Sequence, residues 1–130
     1  MHSIKIKKSK ALILKLDMMK AYDRVDWRFL RLVLLHFGLS LEATDWIMGC
    51  VSSTNFFVLI NGSPSDFFKS SRGLRKVSPL SPLLFLLIVK GLSIILLKLV
   101  EYGKIEGVTV ADGVRITHFI FADDIILFGK

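Results

Sequence analysis

With 130 residues, 52% hydrophobic and 22% charged, and a mean hydropathy of +0.56, the chain is the length of one domain with one core, and acidic or low-complexity disorder is excluded. Eighteen Lys and Arg against eleven Asp and Glu leave a net charge of +7, which suits a polyanionic partner such as nucleic acid or an anionic membrane face. The single cysteine, Cys50, rules out an internal disulfide framework or a cysteine zinc ribbon, and a reducing intracellular compartment fits best.

Residues 1–9 form a basic segment without the apolar stretch and small cleavage residues of a secretory signal. Ala11 to Leu16 then makes an apolar run ending at Asp17, which predicts a short buried strand with a carboxylate at its carboxyl end. Asp26 is placed to cap a helix through Trp27, Leu30, Val33, Leu34 and Phe37, with Gly38 as terminator. Ser40 opens a second helix through Leu41, Trp46, Ile47 and Cys50, and Cys50 is expected to pack inside. Phe56 to Ile60 predicts a strand, 61–64 (Asn-Gly-Ser-Pro) is turn chemistry, and Asp66 to Lys69 can return as its partner.

Ser70 to Ser81 predicts a loop leading into a long helix that starts near Pro82 and ends by Gly103. Val108 to Ala111 and Val114 to Phe121 flank Asp112-Gly113, a two-residue hairpin signal. A second reversal falls at Ala122-Asp123-Asp124, followed by an apolar strand, Ile125 to Phe128. The order predicts an α+β fold, an antiparallel sheet with helices packed on one face. His2, His36 and His118 lie far apart without ligand spacing, which argues against a histidine metal site.

Asp123 and Asp124 lie between strands built of Phe, Ile and Leu. Either they fill a turn, which Asp tolerates well, or they mark a place where charge is required, since charges seldom sit in such surroundings unpartnered. Asp17 poses the same alternative. If the two strand ends are neighbours in one sheet, Asp17 and Asp123 come close together, and like charges at that range call for a cation between them. Magnesium takes oxygen ligands at about 2.0–2.1 Å and leaves positions open for phosphates. Two such ions about 3.5–4 Å apart can activate an attacking hydroxyl and stabilise a leaving pyrophosphate.

Three blocks then carry a family likeness. They are residues 16–27, Leu16-Asp17-Met18-Met19-Lys20-Ala21-Tyr22-Asp23-Arg24-Val25-Asp26-Trp27; residues 71–75, Ser71-Arg72-Gly73-Leu74-Arg75, continuing through Pro79-Leu80-Ser81-Pro82-Leu83-Leu84-Phe85; and Phe121-Ala122-Asp123-Asp124. In order and spacing the chain resembles the palm of a reverse transcriptase of the non-LTR, LINE-type retroelements. The resemblance implies that Asp17 and Asp123 are the principal ligands of two Mg2+ ions, with Mn2+ as an alternative, and that Asp124 is a supporting carboxylate. It implies that Met18 offers its backbone carbonyl to the metal carrying the triphosphate. Tyr22 matches the aromatic beneath the incoming sugar, where it discriminates against a 2′-hydroxyl.

Arg72 and Arg75 either contact template or nucleotide, or form a solvated basic loop. The implied partners are an RNA template, a DNA primer and deoxynucleoside triphosphates, without stable membrane association. Nuclear residence follows from the family's habit of copying into chromosomal DNA. The second block departs from the family pattern: Lys76-Val77-Ser78 stands where Gln-Gly-Asp is expected, which puts Lys76 at the nucleotide. A β-branched Val77 resists positive φ, so the loop should move or obstruct the nucleotide site. Residues 1–130 are expected to be a partial palm core without fingers or thumb, inactive by itself. Two other functions compete with polymerisation: a nucleic-acid-binding module without chemistry, and a small membrane protein with a span near 80–97, against which Lys90 falls near the middle.

Overall fold

A computed structural model describes residues 11–110, 113–121 and 124–129. The fold is α+β, as the element order predicts. It begins with strand β1 (Leu12–Asp17), a single 3-10 turn (Ala21–Arg24), helices α1 (Trp27–His36) and α2 (Leu41–Ser52), and four two-residue strands, β2 (Asn55–Phe56), β3 (Leu59–Ile60), β4 (Ser63–Pro64) and β5 (Phe68–Lys69). Helix α3 (Ser81–Glu101) follows, then β6 (Val108–Thr109), β7 (Arg115–Ile116), β8 (His118–Phe121) and β9 (Asp124–Gly129). In place of the single core that length alone suggests, the chain divides into two compact units, one of Met1–Met19 with Val89–Lys130 and one of Lys20–Ile88.

The first unit is built on a three-stranded antiparallel sheet in the order β1-β9-β8. The register of β1 against β9 runs from Leu12↔Gly129 to Asp17↔Asp124, and β8 pairs with β9 from His118↔Leu127 to Phe121↔Asp124. Ile125 is its buried apolar residue. From α3, Ser93 Oγ shares a 2.8 Å hydrogen bond with His118 Nε2 on β8, and Thr117 Oγ1 lies 2.9 Å from His118 Nδ1. Burial lowers the His118 pKa, because a partly desolvated imidazolium loses hydration. β1 is not buried as its apolar run predicts: every residue in it is exposed, Leu12 and Ile13 at 64%. The physical reason is that side chains alternate between the two faces of a strand and, among the described residues, neither face of β1 is covered.

In the second unit the caps are those the sequence predicts. The Asp26 carboxylate accepts hydrogen bonds from the backbone N–H of Arg28 (2.7 Å) and of Phe29 (3.3 Å), and Ser40 Oγ accepts from Ala43 N–H (3.1 Å). The Arg28 side chain folds back onto Asp26 at 2.9 Å. That hydrogen bond, with the backbone donors, holds the Asp26 carboxyl at a pKa of about 2 and raises that of Arg28. Leu30, Val33 and Leu34 on α1 and Leu84 and Phe85 on α3 are buried, and each such side chain contributes about 1.5–3 kcal/mol relative to exposure. Thr44 on α2 is fully buried, and its hydroxyl has no hydrogen-bond partner among the described residues. Cys50, expected to pack, is exposed. Six residues beyond Thr44, it points about 240° around the helix from the buried face.

The strand expected over Phe56 to Ile60 is two short strands, broken at Phe57 and Val58. β2 pairs with β5, and β3 pairs with β4 around Asn61-Gly62. At the break Val58 N–H donates to Ser65 Oγ and Ser65 N–H donates to Val58 O, replacing ladder bonds with a side-chain bridge. Asn61 (φ 50°) and Gly62 (φ 83°) both take left-handed geometry, the requirement of a tight two-residue hairpin turn. Ser63-Pro64, predicted as turn, belongs to β4. In the second hairpin β6 pairs with β7, while Ala111 and Asp112 lie outside the described residues.

α3 is long and apolar enough to cross a membrane by length and composition, with a hydropathy of 2.6, and 17% of that apolar window is buried. Only a small part of that window is therefore buried. Leu84 and Phe85 pack inward, while Leu83 and Leu86 are exposed at 56% and 64%. Its Lys90 is exposed, and Ser93 is engaged with His118.

Candidate functional site

β1 and β9 deliver two of the predicted carboxylates to one place. Asp17 is the last residue of β1, Asp124 is the first of β9, and the register sets them directly opposite each other. Directly opposed residues in an antiparallel pair project to the same face with Cβ atoms about 4.5–5.5 Å apart, and two like charges there repel. Lys15 meets that repulsion. It lies two residues before Asp17, on the same face of β1, and its Nζ sits 3.0 Å from Asp124 Oδ2. Asp17 is exposed and Asp124 half-buried, so a cation from solvent can reach both. The sequence pattern singled out the carboxylates and missed Lys15, although the two-residue strand period from Asp17 is the signal that finds it.

Asp123 lies outside the described residues, so its expected approach to Asp17 does too. Among the described residues no group of three His, Cys, Asp or Glu is placed to hold a metal ion. The pair Asp17 and Asp124 nonetheless has the right donor chemistry for a hard divalent cation: carboxylate oxygens, accessible to solvent, with a positive group already drawn between the strands. Met18, next to Asp17, is half-buried.

The other predicted residues gather in the second unit. The Tyr22 ring stacks on Phe85, centroids 4.5 Å apart and planes 15° apart, so one of its two faces is engaged in packing. Arg72 and Arg75 line a pocket of about 130 Å³ together with Trp27, Thr54 and Phe56, and Arg75 Nε donates to Thr54 Oγ1. Lys76 Nζ lies 3.8 Å from Asp23 Oδ2, with both groups largely exposed. Val77 avoids positive φ and stands 95% exposed. The loop has accommodated the β-branched residue by turning it outward, and Ser78 N–H donates to Arg75 O at 3.3 Å.

Trp27 is the second residue that sequence reasoning missed. Its Nε1–H donates to Gly73 O at 2.8 Å, joining the first sequence block to the second. A half-buried tryptophan needs an acceptor for its indole N–H, which is the signal available in the sequence.

All 130 residues, 1–130, match the family described as reverse transcriptase (RNA-dependent DNA polymerase). The chain is 27% identical over 131 aligned positions to the Pol polyprotein of the type-1 retrotransposable element R2 of Popillia japonica, covering 97% of this chain and 20% of that one. To the corresponding R2 polyprotein of Nasonia vitripennis it is 29% identical over 116 positions, covering 88% of this chain and 10% of that one. An uncharacterized mitochondrial protein of Arabidopsis thaliana is 42% identical over 73 positions, 54% of this chain and 60% of its own length. The chain thus spans a fifth or less of the R2 polyproteins and over half of the mitochondrial protein. With its full length matched by that family, the chain belongs to the reverse transcriptases.

Proposed function

We propose that this chain is the palm portion of an RNA-directed DNA polymerase, using a divalent-cation site formed by Asp17, Asp123 and Asp124. The observation that carries the proposal is the register that sets Asp17 opposite Asp124 at adjoining strand ends. In the reaction, a DNA primer's 3′-hydroxyl oxygen bonds to the α-phosphorus of a deoxynucleoside triphosphate, the hydroxyl proton is lost, and the bond to pyrophosphate breaks. Bound divalent cations would supply positive charge at the primer hydroxyl and at the leaving pyrophosphate. Asp17 and Asp123 would hold the ions, with Asp124 in support and the Met18 carbonyl as a further oxygen. Tyr22 lies under the incoming sugar, Lys76 meets the triphosphate, and Arg72 and Arg75 contact the RNA template.

Lys76-Val77-Ser78 replaces the Gln-Gly-Asp that the family resemblance calls for, and positioning of primer and nucleotide is as necessary as the ions. These 130 residues therefore bind cation and RNA but do not extend a primer unaided. Manganese binding followed by electron paramagnetic resonance, run beside primer extension on an RNA template, tests both statements. The parent binds Mn2+, while Asp17→Asn and Asp123→Asn each weaken binding by at least about ten-fold. Equal Mn2+ affinity in all three proteins defeats the proposed site, and extension by the parent defeats the proposed inactivity.

A second reading, a nucleic-acid-binding module without chemistry, is favoured by the pocket that joins Arg72 and Arg75 to Trp27 and Phe56. Cationic and aromatic groups side by side are the equipment for holding a single strand. Salt-sensitive RNA binding retained in Asp17→Asn, with no Mn2+ bound by the parent, would select it.

A further inference from the structure

We propose that Trp27 is a positioning residue that fixes the basic loop bearing Arg72 and Arg75 for contact with single-stranded nucleic acid. The inference rests on the proposal that this loop meets RNA, and adds the device that orients it. Residues 70–78 contain no helix or strand; Ser70 with Arg72 and Arg75 with Ser78 bond within the loop, and its placement against the rest of the unit depends on bonds from outside. Three hydrogen bonds tie it to the 22–27 segment. Leu74 N–H donates to Tyr22 O at 2.8 Å, Gly73 N–H donates to Val25 O at 2.9 Å, and Trp27 Nε1–H donates to Gly73 O at 2.8 Å. The first two are backbone bonds open to any sequence. The third needs a side-chain N–H donor of suitable reach at position 27.

Both ends of that third bond are prepared. Trp27 is the first residue of α1, immediately after the Asp26 cap, so its backbone is set by the capping bonds. Gly73 has φ +93°, and a Cβ there would lie 2.9 Å from Asp23 O and 3.2 Å from Asp23 Cα, a clash with backbone that cannot move aside cheaply. Only glycine permits this close approach, which leaves its carbonyl meeting the indole. Arg72 precedes Gly73 directly and Arg75 follows two residues later, and all three line the pocket beside Trp27. Two guanidinium groups on a free loop would lose conformational entropy on meeting a phosphate, and the staple removes part of that cost before binding.

The test uses the whole chain and a fluorescently labelled single-stranded RNA oligonucleotide, titrated at several salt concentrations. Arg72→Ala combined with Arg75→Ala lowers affinity and flattens the salt dependence, by a slope of about 0.7 per lost phosphate contact. Trp27→Phe keeps the ring and loses the donor. It weakens binding by about five-fold through a flatter slope, and adds nothing once both arginines are gone. A second measurement leaves Trp27 in place. In Trp46→Phe, which removes the exposed second tryptophan, Trp27 emission shifts on RNA binding, and the shift is absent without the two arginines.

An unchanged affinity for the double arginine variant overturns the proposal about the loop, and the inference with it. Weakened binding in that variant, but full affinity or a purely additive effect in Trp27→Phe, overturns the positioning role alone. Should Trp27→Phe fail to fold, Trp27 emission in Trp46→Phe that is indifferent to saturating RNA overturns the role equally.

Discussion

Lys15 and Asp124 meet diagonally across β1 and β9, ammonium to carboxylate at 3.0 Å, directly beside the point where Asp17 faces Asp124. The arrangement places a positive group against two carboxylates that repel each other. Both partners are substantially exposed, at 62% and 36%, so water screens the pair and its contribution to stability stays below about 1 kcal/mol.

That screening gives the first prediction. Lys15→Met lowers the thermal midpoint slightly in magnesium-free buffer, and added Mg2+ raises the midpoint more in this variant than in the parent. Without the ammonium, a bound cation is the remaining way to offset the facing carboxylates. Differential scanning fluorimetry with and without Mg2+ measures it. An identical Mg2+ response in both proteins would place Lys15 outside the cation site.

Asp26 makes the second. Its carboxyl titrates at about 2 in the folded chain against 3.8 for the free group, so the ionised form is favoured by folding. The stability it supplies is complete above the unfolded value and is lost as pH falls through the folded one. Asp26→Ala therefore destabilises at neutral pH, Asp26→Ser restores most of the cap, and both variants lose less stability on acidification than the parent. Urea unfolding at neutral and strongly acid pH reads the difference.

Thr44 makes the third. Its hydroxyl is fully buried without a hydrogen-bond partner among the described residues, so it bears a desolvation penalty without a compensating bond. Thr44→Val keeps the shape and removes the penalty, stabilising the chain by about 1 kcal/mol. Thr44→Ser keeps the hydroxyl, deletes a methyl and destabilises. Chemical denaturation of the two variants gives opposite signs if the hydroxyl is orphaned as described.

His118 makes the fourth. Burial depresses its folded-state pKa below 6.5, so the unfolded chain binds the proton more readily. Stability is present above the unfolded value and declines as pH falls below about 6.5 toward the folded pKa. His118→Gln flattens that stretch of the stability-pH curve, and Ser93→Ala, which deletes the hydrogen bond from α3, destabilises at every pH in it. Thermal midpoints across mildly acidic buffers check both.

What could be read from the chain without a structure was whatever a short stretch of residues decides by itself. Asp26 and Ser40 cap their helices because a carboxylate or hydroxyl satisfies N–H groups two or three residues on. Asn61-Gly62 turns the chain because those two residues tolerate left-handed φ. Asp17 falls at a strand end as its apolar run predicts, while Asp124, read as part of the reversal, is the first residue of β9; the order of the three sequence blocks carried the family. The break at Phe57 and Val58 was not legible, because Ser65, seven residues away, supplies the bonds that replace the ladder.

The tertiary structure alone decided the partnerships. Asp17 faces Asp124, and Lys15 reaches Asp124, because of a register between strands more than a hundred positions apart in the sequence. Trp27 and Gly73 are bonded across 46 positions. β1 is exposed despite its apolar run because neither of its faces is covered among the described residues, and Cys50 is exposed because α2 turns it away from Thr44. Capping and turn preferences are energies of neighbouring atoms and are therefore written locally. Register and burial are set by which distant surfaces meet, a choice made by the free energy of the whole chain.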